Sequence, residues 1–546
     1  MIFHTVGYND FKERQKFPNH SLTNEKTLGG DKWNFSQDDL SSQEYVIKDF
    51  EDYFVDNSLF YTTDEIKQLL GGNGTENSPY IVDSTQKFYL LNKIGLAGVF
   101  VELRSDIILN DETFDGNGQP KGGDGVVYSW RGRHAGDLHF NGNGHEIRGM
   151  YFNDPAKRAC LFDYFEVCEN VHLRNVYINA GSSSAGIAYY AKYLYNCSVS
   201  GYITSNEMIA GLCSSRSKEI KNCVNYAEVY SPNREVYGIS QGAPIVENCK
   251  NYGRITGKGL FVSGVCGSQP GDVIRDCVNY GEVNSSWVFT GGVVGGIHND
   301  ASGKGLVVEN CVNYGDINAG RESGGVVGMI CSNSLIYNCA NYGSCTNDLA
   351  GQIVGTISAQ YNAGKKVSVI IKNCSVYSKD NNSVVGTFEY LDNAVSAKVI
   401  YDGIQGDFGE DKNTVTTLLG YNERSYKTIV ETKNIVLNYT GSKRLNLFAN
   451  RIDFTCIVGN VLLNNENADL SMGVLGDFDP KGNININGGI IINSIDGQSY
   501  YQGENFKNFY YDRRQGKICL NNTNSAFHEK ITERWLQDNE GFKKLF

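Results

Sequence analysis

The stretch NCVNYAEV at residues 222–229 returns down the chain as NCKNYGRI (248–255), DCVNYGEV (276–283), NCVNYGDI (310–317), NCANYGSC (338–345) and NCSVYSKD (373–380). An earlier relative, NCSVSGYI, occupies 196–203. Cys197, Cys223, Cys249, Cys277, Cys311, Cys339 and Cys374 thus follow one another at 26, 26, 28, 34, 28 and 35 residues. A second element alternates with the first: GGVVGGI (291–297), GGVVGMI (324–330) and GQIVGTI (351–357), with looser forms GLFVSGV (259–265) and AGLCSS (210–215). Each repeat is two or three short strands separated by turns. Such a unit is too small to bury its own apolar side, so it must stack on copies of itself.

Stacking brings equivalent residues of neighbouring coils to about 4.8 Å and makes ladders of like side chains. Strand alternation in NCKNYG sends Cys249 inward, Lys250 outward and Asn251 inward again. Val278, Val312 and Ala340 replace Lys250 in later copies, as a solvent-side position permits. The cysteines then form an interior stack, and Asn225, Asn251, Asn279, Asn313 and Asn341 an interior asparagine ladder. Gly253, Gly281, Gly315 and Gly343, each after a tyrosine, are expected to supply a turn conformation that other residues resist. Repeat lengths vary, so loops on one edge grow and shrink, notably after Trp287 and around His298, Asn299 and Asp300. The expected fold is all-β: a right-handed parallel β-helix (solenoid) of about seven to ten coils over 99–395, with an N-terminal helical cap and a short C-terminal helix.

Composition agrees. Sixty-two glycines, eight prolines and 34 tyrosines in 546 residues describe many tight turns between short strands. A net charge of −12 without a basic run argues against nucleic acid. No apolar segment approaches membrane-spanning length, so no membrane insertion is expected. Residues 1–21 carry His4, Asp10, Lys12, Glu13 and Arg14 and no secretory apolar core.

The GGVVGG elements, their alternation with N-C-x-N-Y-G, and FNGNGHEIRGM (140–150) resemble the GLUG-motif repeats of bacterial surface proteins. GNGTENSPYIVDSTQKFYLLNKI (72–94) is similar to the lead-in of those repeats, where a short amphipathic helix covers the first coil. The resemblance spans roughly 71–390. It implies architecture rather than activity, since such repeats stand beside adhesive, peptidase and carbohydrate-related modules.

Five segments follow. Residues 1–60 read as an attachment segment and 61–98 as a helical cap, where TDEIKQLL and STQKFYLLNKI suggest two helices and Phe88, Leu90 and Leu91 can plug the open end. Residues 99–395 form the β-helix, 396–520 an irregular β region or further coils, and 521–546 a helix with Ile531, Trp535 and Leu536 on one face.

Catalytic and metal chemistry find little support. Fifteen cysteines lack a C-x-x-C spacing, and parallel side chains make poor disulfides, so an inert buried stack is expected. His134, His139 and His145 are spaced for structure rather than for a metal triad. Asp111, Glu112 and Asp115 look partly like a calcium loop, but Thr113 and Gly122 stand where ligands are wanted, which leaves a surface turn. Asp276, Glu282, Glu309 and Asp316 are the acids on the repeats. Glu282 and Asp316 share a repeat position with Glu228 and Arg254, as at a solvated surface, and no catalytic pair stands out. Neither cofactor nor metal is expected.

Binding remains. Tyr226, Tyr252, Tyr280, Tyr314, Tyr342 and Tyr377 would form an outward stripe suited to sugar rings, joined by Trp287. Rings stacking on one another to brace the ladder are the alternative. The functional expectation is a non-catalytic, extracellular recognition protein: a bacteriophage tail spike or fibre in the virion, binding a host-surface glycan or receptor. A bacterial cell-surface adhesin and a glycan-degrading β-helix enzyme, lyase or glycosidase, are the alternatives. Val278, Val312, Trp287, Val288 and Phe289, with Trp535, Phe542 and Phe546, further suggest a homo-trimer, assembled into a virion or cell surface through residues 1–60.

Overall fold

A computed structural model describes residues 45–465 apart from short gaps at 58, 133–135, 182, 270, 298–304, 348, 361–363, 378–382, 409–413, 417, 424, 426, 440–443, 447–448, 450, 453 and 459–460. Beyond 465 it describes the strands Asp477–Phe478, Asn483–Ile486, Ile490–Asn493, Phe509–Asp512 and Lys517–Leu520. The loop at His298, His134 and the C-terminal helix expected over 521–546 lie outside the described residues. Two compact units divide the chain, one of residues 1–268 and 276–287, the other of 269–275 and 288–546. Both are parallel β-solenoids.

In the first unit one face of the coils is a ladder of parallel strands: Tyr80–Val82, Phe100–Leu103, Leu138–Asn141, Phe162–Glu169, Ala188–Tyr195, Glu219–Lys221 and Ile245–Glu247. A second face runs from Val126–Ser129 through Tyr151–Asp154, His172–Ala180 and Ser198–Ser205 to pairs of two- and three-residue strands such as Lys250–Asn251 with Ile255–Gly257. The third is made of the dipeptides Ser184–Ala185, Ile209–Ala210, Val236–Tyr237 and Val262–Ser263. Alternate residues turn inward, and Val199, Leu212, Ile220, Val246 and Cys249 are fully buried. Each buried aliphatic side chain contributes about 1.5–3 kcal/mol.

Among the described residues three helices close the end of this unit: α1 (Phe50–Asp56), α2 (Thr63–Leu70) and α3 (Thr85–Leu91). Thr62 and Glu65 form a reciprocal capping box on α2, and the Ser84 hydroxyl caps α3. Phe88, Leu90 and Leu91 are buried as the plug, with Phe88 4.9 Å from Trp130. Part of the segment read as an attachment arm belongs to this cap. Val46–Asp49 pairs with Val126–Ser129, Phe54 is buried, and Tyr53 stacks on Tyr89 at 4.2 Å. The aromatic residues of α1 supply the reason, since they have a ring-lined surface to cover. Residues 1–44 lie outside the described residues.

In the second unit the ladder Val273–Arg275, Leu306–Glu309, Ser334–Tyr337, Lys366–Lys372 and Ser396–Asp402 continues through Thr428–Lys433 and Thr455–Val458 to Asn483–Ile486. Parallel coils therefore persist after the sequence motif has faded. Phe509–Asp512 and Lys517–Leu520 form an antiparallel pair instead.

The two repeated motifs are two sides of one device. Asn225 Nδ2 donates to Asn251 Oδ1 at 2.8 Å and Asn251 Nδ2 to Asn279 Oδ1 at 2.8 Å, while the second hydrogen of each amide reaches the carbonyl two residues on, Ala227 and Gly253, at 2.9 Å. Asn313 and Asn341 repeat the pattern. Glycines of the alternating motif stand against these amides: a Cβ on Gly211 or Gly238 would meet the carbonyl of the next coil and Asn225 or Asn251 respectively. Gln352 replaces that glycine in GQIVGTI, and it accepts from Asn341 Nδ2 at 2.6 Å where the next rung offers Val376 in place of asparagine.

Two local expectations are corrected. Gly253, Gly281 and Gly343 are absent from the residues with left-handed backbone. They are glycines because a Cβ would strike Ala227, Gly253 and Gly315 carbonyls on the neighbouring coil. The left-handed turn falls on the asparagine before each cysteine, with φ of 56° at Asn222, 51° at Asn248 and 54° at Asn310, and on Asp276 at 56°. Those side chains make an outer ladder, as in Asn248 Nδ2 to Asn222 Oδ1 at 2.7 Å. Val312 and Ala340, read as solvent-side, are buried. Rungs about 4.8 Å apart cover a short side chain from above and below.

Candidate functional site

The thirteen cysteines whose side chains are described are buried and free of disulfides. Neighbouring thiols lie along the coil axis, with Cys168 Sγ 3.9 Å from Cys197 Sγ. Burial pushes the Cys160, Cys197 and Cys213 thiols up in pKa, away from the reactive thiolate. Among the described residues no three His, Cys, Asp or Glu side chains gather as they would around a metal ion, and no helix is long and apolar enough to cross a membrane. His139 stacks on Phe100 at 4.0 Å, and His145 Nδ1 lies 3.2 Å from Asp106 Oδ1. The Glu228 and Arg254 side chains form an ion pair at 2.5 Å, so that repeat position carries an inter-coil charge ladder.

The segment with a partial calcium-loop look is a hairpin, Thr113–Phe114 antiparallel to Pro120–Lys121. Asp115 Oδ1 accepts from Asn117 and Gln119 within its own turn. The hairpin lies on a ring ladder in which Tyr151 stacks on Tyr177 at 5.4 Å, and Gly118 sits so close to Tyr177 that a Cβ would enter the ring. Glu112 at its root is buried, accepting from Gly125 N at 3.2 Å with its other oxygen unpartnered. Burial, then Asp124 and Asp111, raises its pKa.

Along the stripe expected for binding the tyrosine rings stack face to face in columns. Tyr226 and Tyr252 stack at 5.1 Å and 10°, Tyr252 and Tyr280 at 4.7 Å and 5°. Tyr314 and Tyr342 stack at 5.0 Å and 13°, Tyr342 and Tyr377 at 4.8 Å and 10°. Ring faces are therefore occupied by neighbouring rings, and edges are what these columns turn outward. Tyr314 and Tyr342 are buried outright. Trp287 is 55% exposed, beyond the strand Val283–Ser285.

A different tyrosine cluster was not foreseen. Tyr164 on Phe162–Glu169 and Tyr189, Tyr190, Tyr193 and Tyr195 on Ala188–Tyr195 all point outward and are partly exposed. Their rings are splayed: Tyr164 meets Tyr189 edge-on at 5.6 Å and 74° and Tyr190 at 6.3 Å and 49°, while Tyr193 and Tyr195 lie 6.0 Å apart at 30°. For Tyr193 and Tyr195 strand register supplies the reason, since Tyr193 is flanked by Val167 and Glu219, and Tyr195 by Glu169 and Lys221. Several charges here are paired, while Lys218 beside Lys192 is exposed. Lys192 pairs with Glu166, Lys221 with Glu219, Tyr195 OH donates to Glu219 at 2.9 Å, and the Arg158 guanidinium lies 3.7 Å over the Tyr189 ring. The sequence signal was the density of tyrosine in AYYAKYLY (188–195), which lies outside the repeated motif.

No family model and no curated protein matches the chain. A solved structure from Bacteroides ovatus, described as a "putative immunoglobulin A1 protease", is similar at 18% identity over 52% of this chain and 78% of that one, with a TM-score of 0.32, too loose a likeness to bear on chemistry.

Proposed function

We propose that the chain is a non-catalytic recognition protein that binds a ligand on the outer side of its coils. The observation that carries this reading is the splayed tyrosine platform of Tyr164, Tyr189, Tyr190, Tyr193 and Tyr195, partly exposed on two hydrogen-bonded strands. Aromatic faces held on stacked coils form a pre-organised surface, and rigid rings bind at low entropic cost. The setting we favour is extracellular, as a bacteriophage tail spike or fibre that recognises a host-surface glycan or receptor. The GLUG-like repeats support a cell-surface adhesin as the other setting. A homo-trimer belongs to the first of these. Of the apolar residues behind it Val312 and Phe289 are buried, Trp287 is exposed, Val278 and Val288 are partly exposed, and Trp535, Phe542 and Phe546 lie outside the described residues.

The test is to incubate purified full-length protein with capsular and cell-wall glycans and follow both retention and products. Retention without new reducing ends or unsaturated sugars supports recognition. Release of either product makes the protein a glycan-degrading enzyme and overturns the proposal.

A further inference from the structure

In the second unit the ladder that begins at Val273–Arg275 carries two columns on its outer side. Val273, Val307, Leu335, Ile370 and Ile400 stand in register on five successive coils, each partly exposed. At a coil spacing of about 4.8 Å this apolar stripe runs roughly 20 Å up the face. Glu431 follows Ile400 on the next coil and bounds it. The core does not need these side chains, since Ile274, Val308, Ile336, Ile371 and Tyr401, one residue on, fill the interior and are fully buried. A contiguous apolar surface of this kind marks a place of contact. Packing of the branched side chains on one another accounts for their type, but not for the column beside them.

Two residues further along each strand stand Arg275, Glu309, Tyr337, Lys372 and Asp402, again in register. Read up the coils, their charges are plus, minus, none, plus and minus. Read down, they are minus, plus, none, minus and plus. Every charge of one reading thus meets its opposite in the other, and Tyr337 meets itself.

That order specifies the partner. A two-fold axis along the strand direction, through the coil of Leu335 and Tyr337, lays this face on the same face of a second copy with the coils running in opposite senses. Apolar stripe then lies on apolar stripe, Arg275 meets Asp402 of the second copy, and Glu309 meets Lys372. Within one chain Lys372 Nζ lies 3.7 Å from Asp402 Oδ2, longer than a hydrogen bond, and Glu309 of the second copy offers it a further carboxylate. A parallel packing sets each coil beside its own copy and makes no use of the alternation, so this face is not the one a parallel trimer would use.

We infer that the face bearing Val273, Val307, Leu335, Ile370 and Ile400 is a self-association surface on which two copies of the chain pair with their coils antiparallel. The inference goes beyond the recognition reading and does not depend on it.

Sedimentation velocity and light scattering on the full-length protein test it, up to about 200 µM because a face of five coils lies at the small end of interface sizes. The mass rises with concentration from one chain toward two, and added salt lowers it. Leu335→Lys, which sets like charges against each other at the axis, keeps the protein monomeric. Lys372→Glu and Glu309→Lys each weaken association by about tenfold or more, and an equimolar mixture of the two recovers it, because the reversed charges then face their opposites. That recovery separates a lost interface from a lost fold, and melting curves verify each variant. A monomer at every concentration, a trimer, or a dimer indifferent to Leu335→Lys and to both charge reversals overturns the inference. So does a mixture that associates no better than its components. Glycan retention is read separately and bears on the recognition reading alone.

Discussion

Tyrosine does two different jobs on the outside of the same solenoid unit. In the column of Tyr226, Tyr252 and Tyr280 every coil places a ring at the same point, and centroids 5.1 and 4.7 Å apart close the rings face to face. On the platform the tyrosines crowd onto two coils, and the next coil supplies Glu219 and Lys221 at the register of Tyr193 and Tyr195. No column can grow there, so the rings splay. A residue repeated at the period of the coil is used up by its own copies. The same residue clustered off that period is left with a surface to offer.

The largest effects should come from beneath the column. Asn251→Ala removes an amide that serves Asn225, Asn279 and its own turn, and leaves a cavity. We expect a loss of about 2–4 kcal/mol in denaturant unfolding. Gly238→Ala forces a methyl group against the Gly264 carbonyl and the Asn251 side chain, and should cost about 1–3 kcal/mol in the same measurement. A stability within experimental error of wild type for either would mean that the ladder does not hold the coils together.

Tyrosine nitration followed by peptide mass spectrometry sharpens the comparison without mutation. Tyr190 and Tyr193 should react ahead of Tyr252 in the native protein, because the column covers its ring faces. Equal rates would erase the distinction between the two regions.

The smallest effect concerns Glu112, at the root of the hairpin. Its carboxyl is raised above the ordinary value of 4.5, so the folded state favours the proton. The stability it contributes is complete below the unfolded value and is lost as pH rises through the folded one. Glu112→Gln should therefore gain melting temperature over wild type as pH is raised from 5 to 8. Parallel pH profiles for the two proteins would refute this assignment.

Much of this architecture is legible in the repeats, because a coil must place the same side chain at the same point each time around. Cys249 and Asn251 betray their inward positions by recurring, and Phe88, Leu90 and Leu91 betray the plug. Where the fold stops depending on identity, the sequence goes quiet. Past Asn341 the ladder passes to Val376 and then Gly406, and Ser396–Asp402 buries Ala397, Val399 and Tyr401 in a coil with no motif. The glycine after each tyrosine was misread for a related reason: a tight turn and a close neighbouring coil both demand glycine, and a single strand of text cannot tell them apart. The platform leaves no such trace, because AYYAKYLY (188–195) breaks the period of the coil.

The most direct test of the division between the two regions is a paired measurement on Tyr252→Ala and Tyr190→Ala, each assayed for melting temperature and for retention on a glycan affinity matrix that retains the wild-type protein. The account predicts opposite losses: Tyr252→Ala melts earlier, by the equivalent of about 1–3 kcal/mol for two lost ring stacks, and keeps its retention, whereas Tyr190→Ala melts close to wild type and is no longer retained. Loss of retention in Tyr252→Ala with stability unchanged, or full retention in a folded Tyr190→Ala, would contradict it.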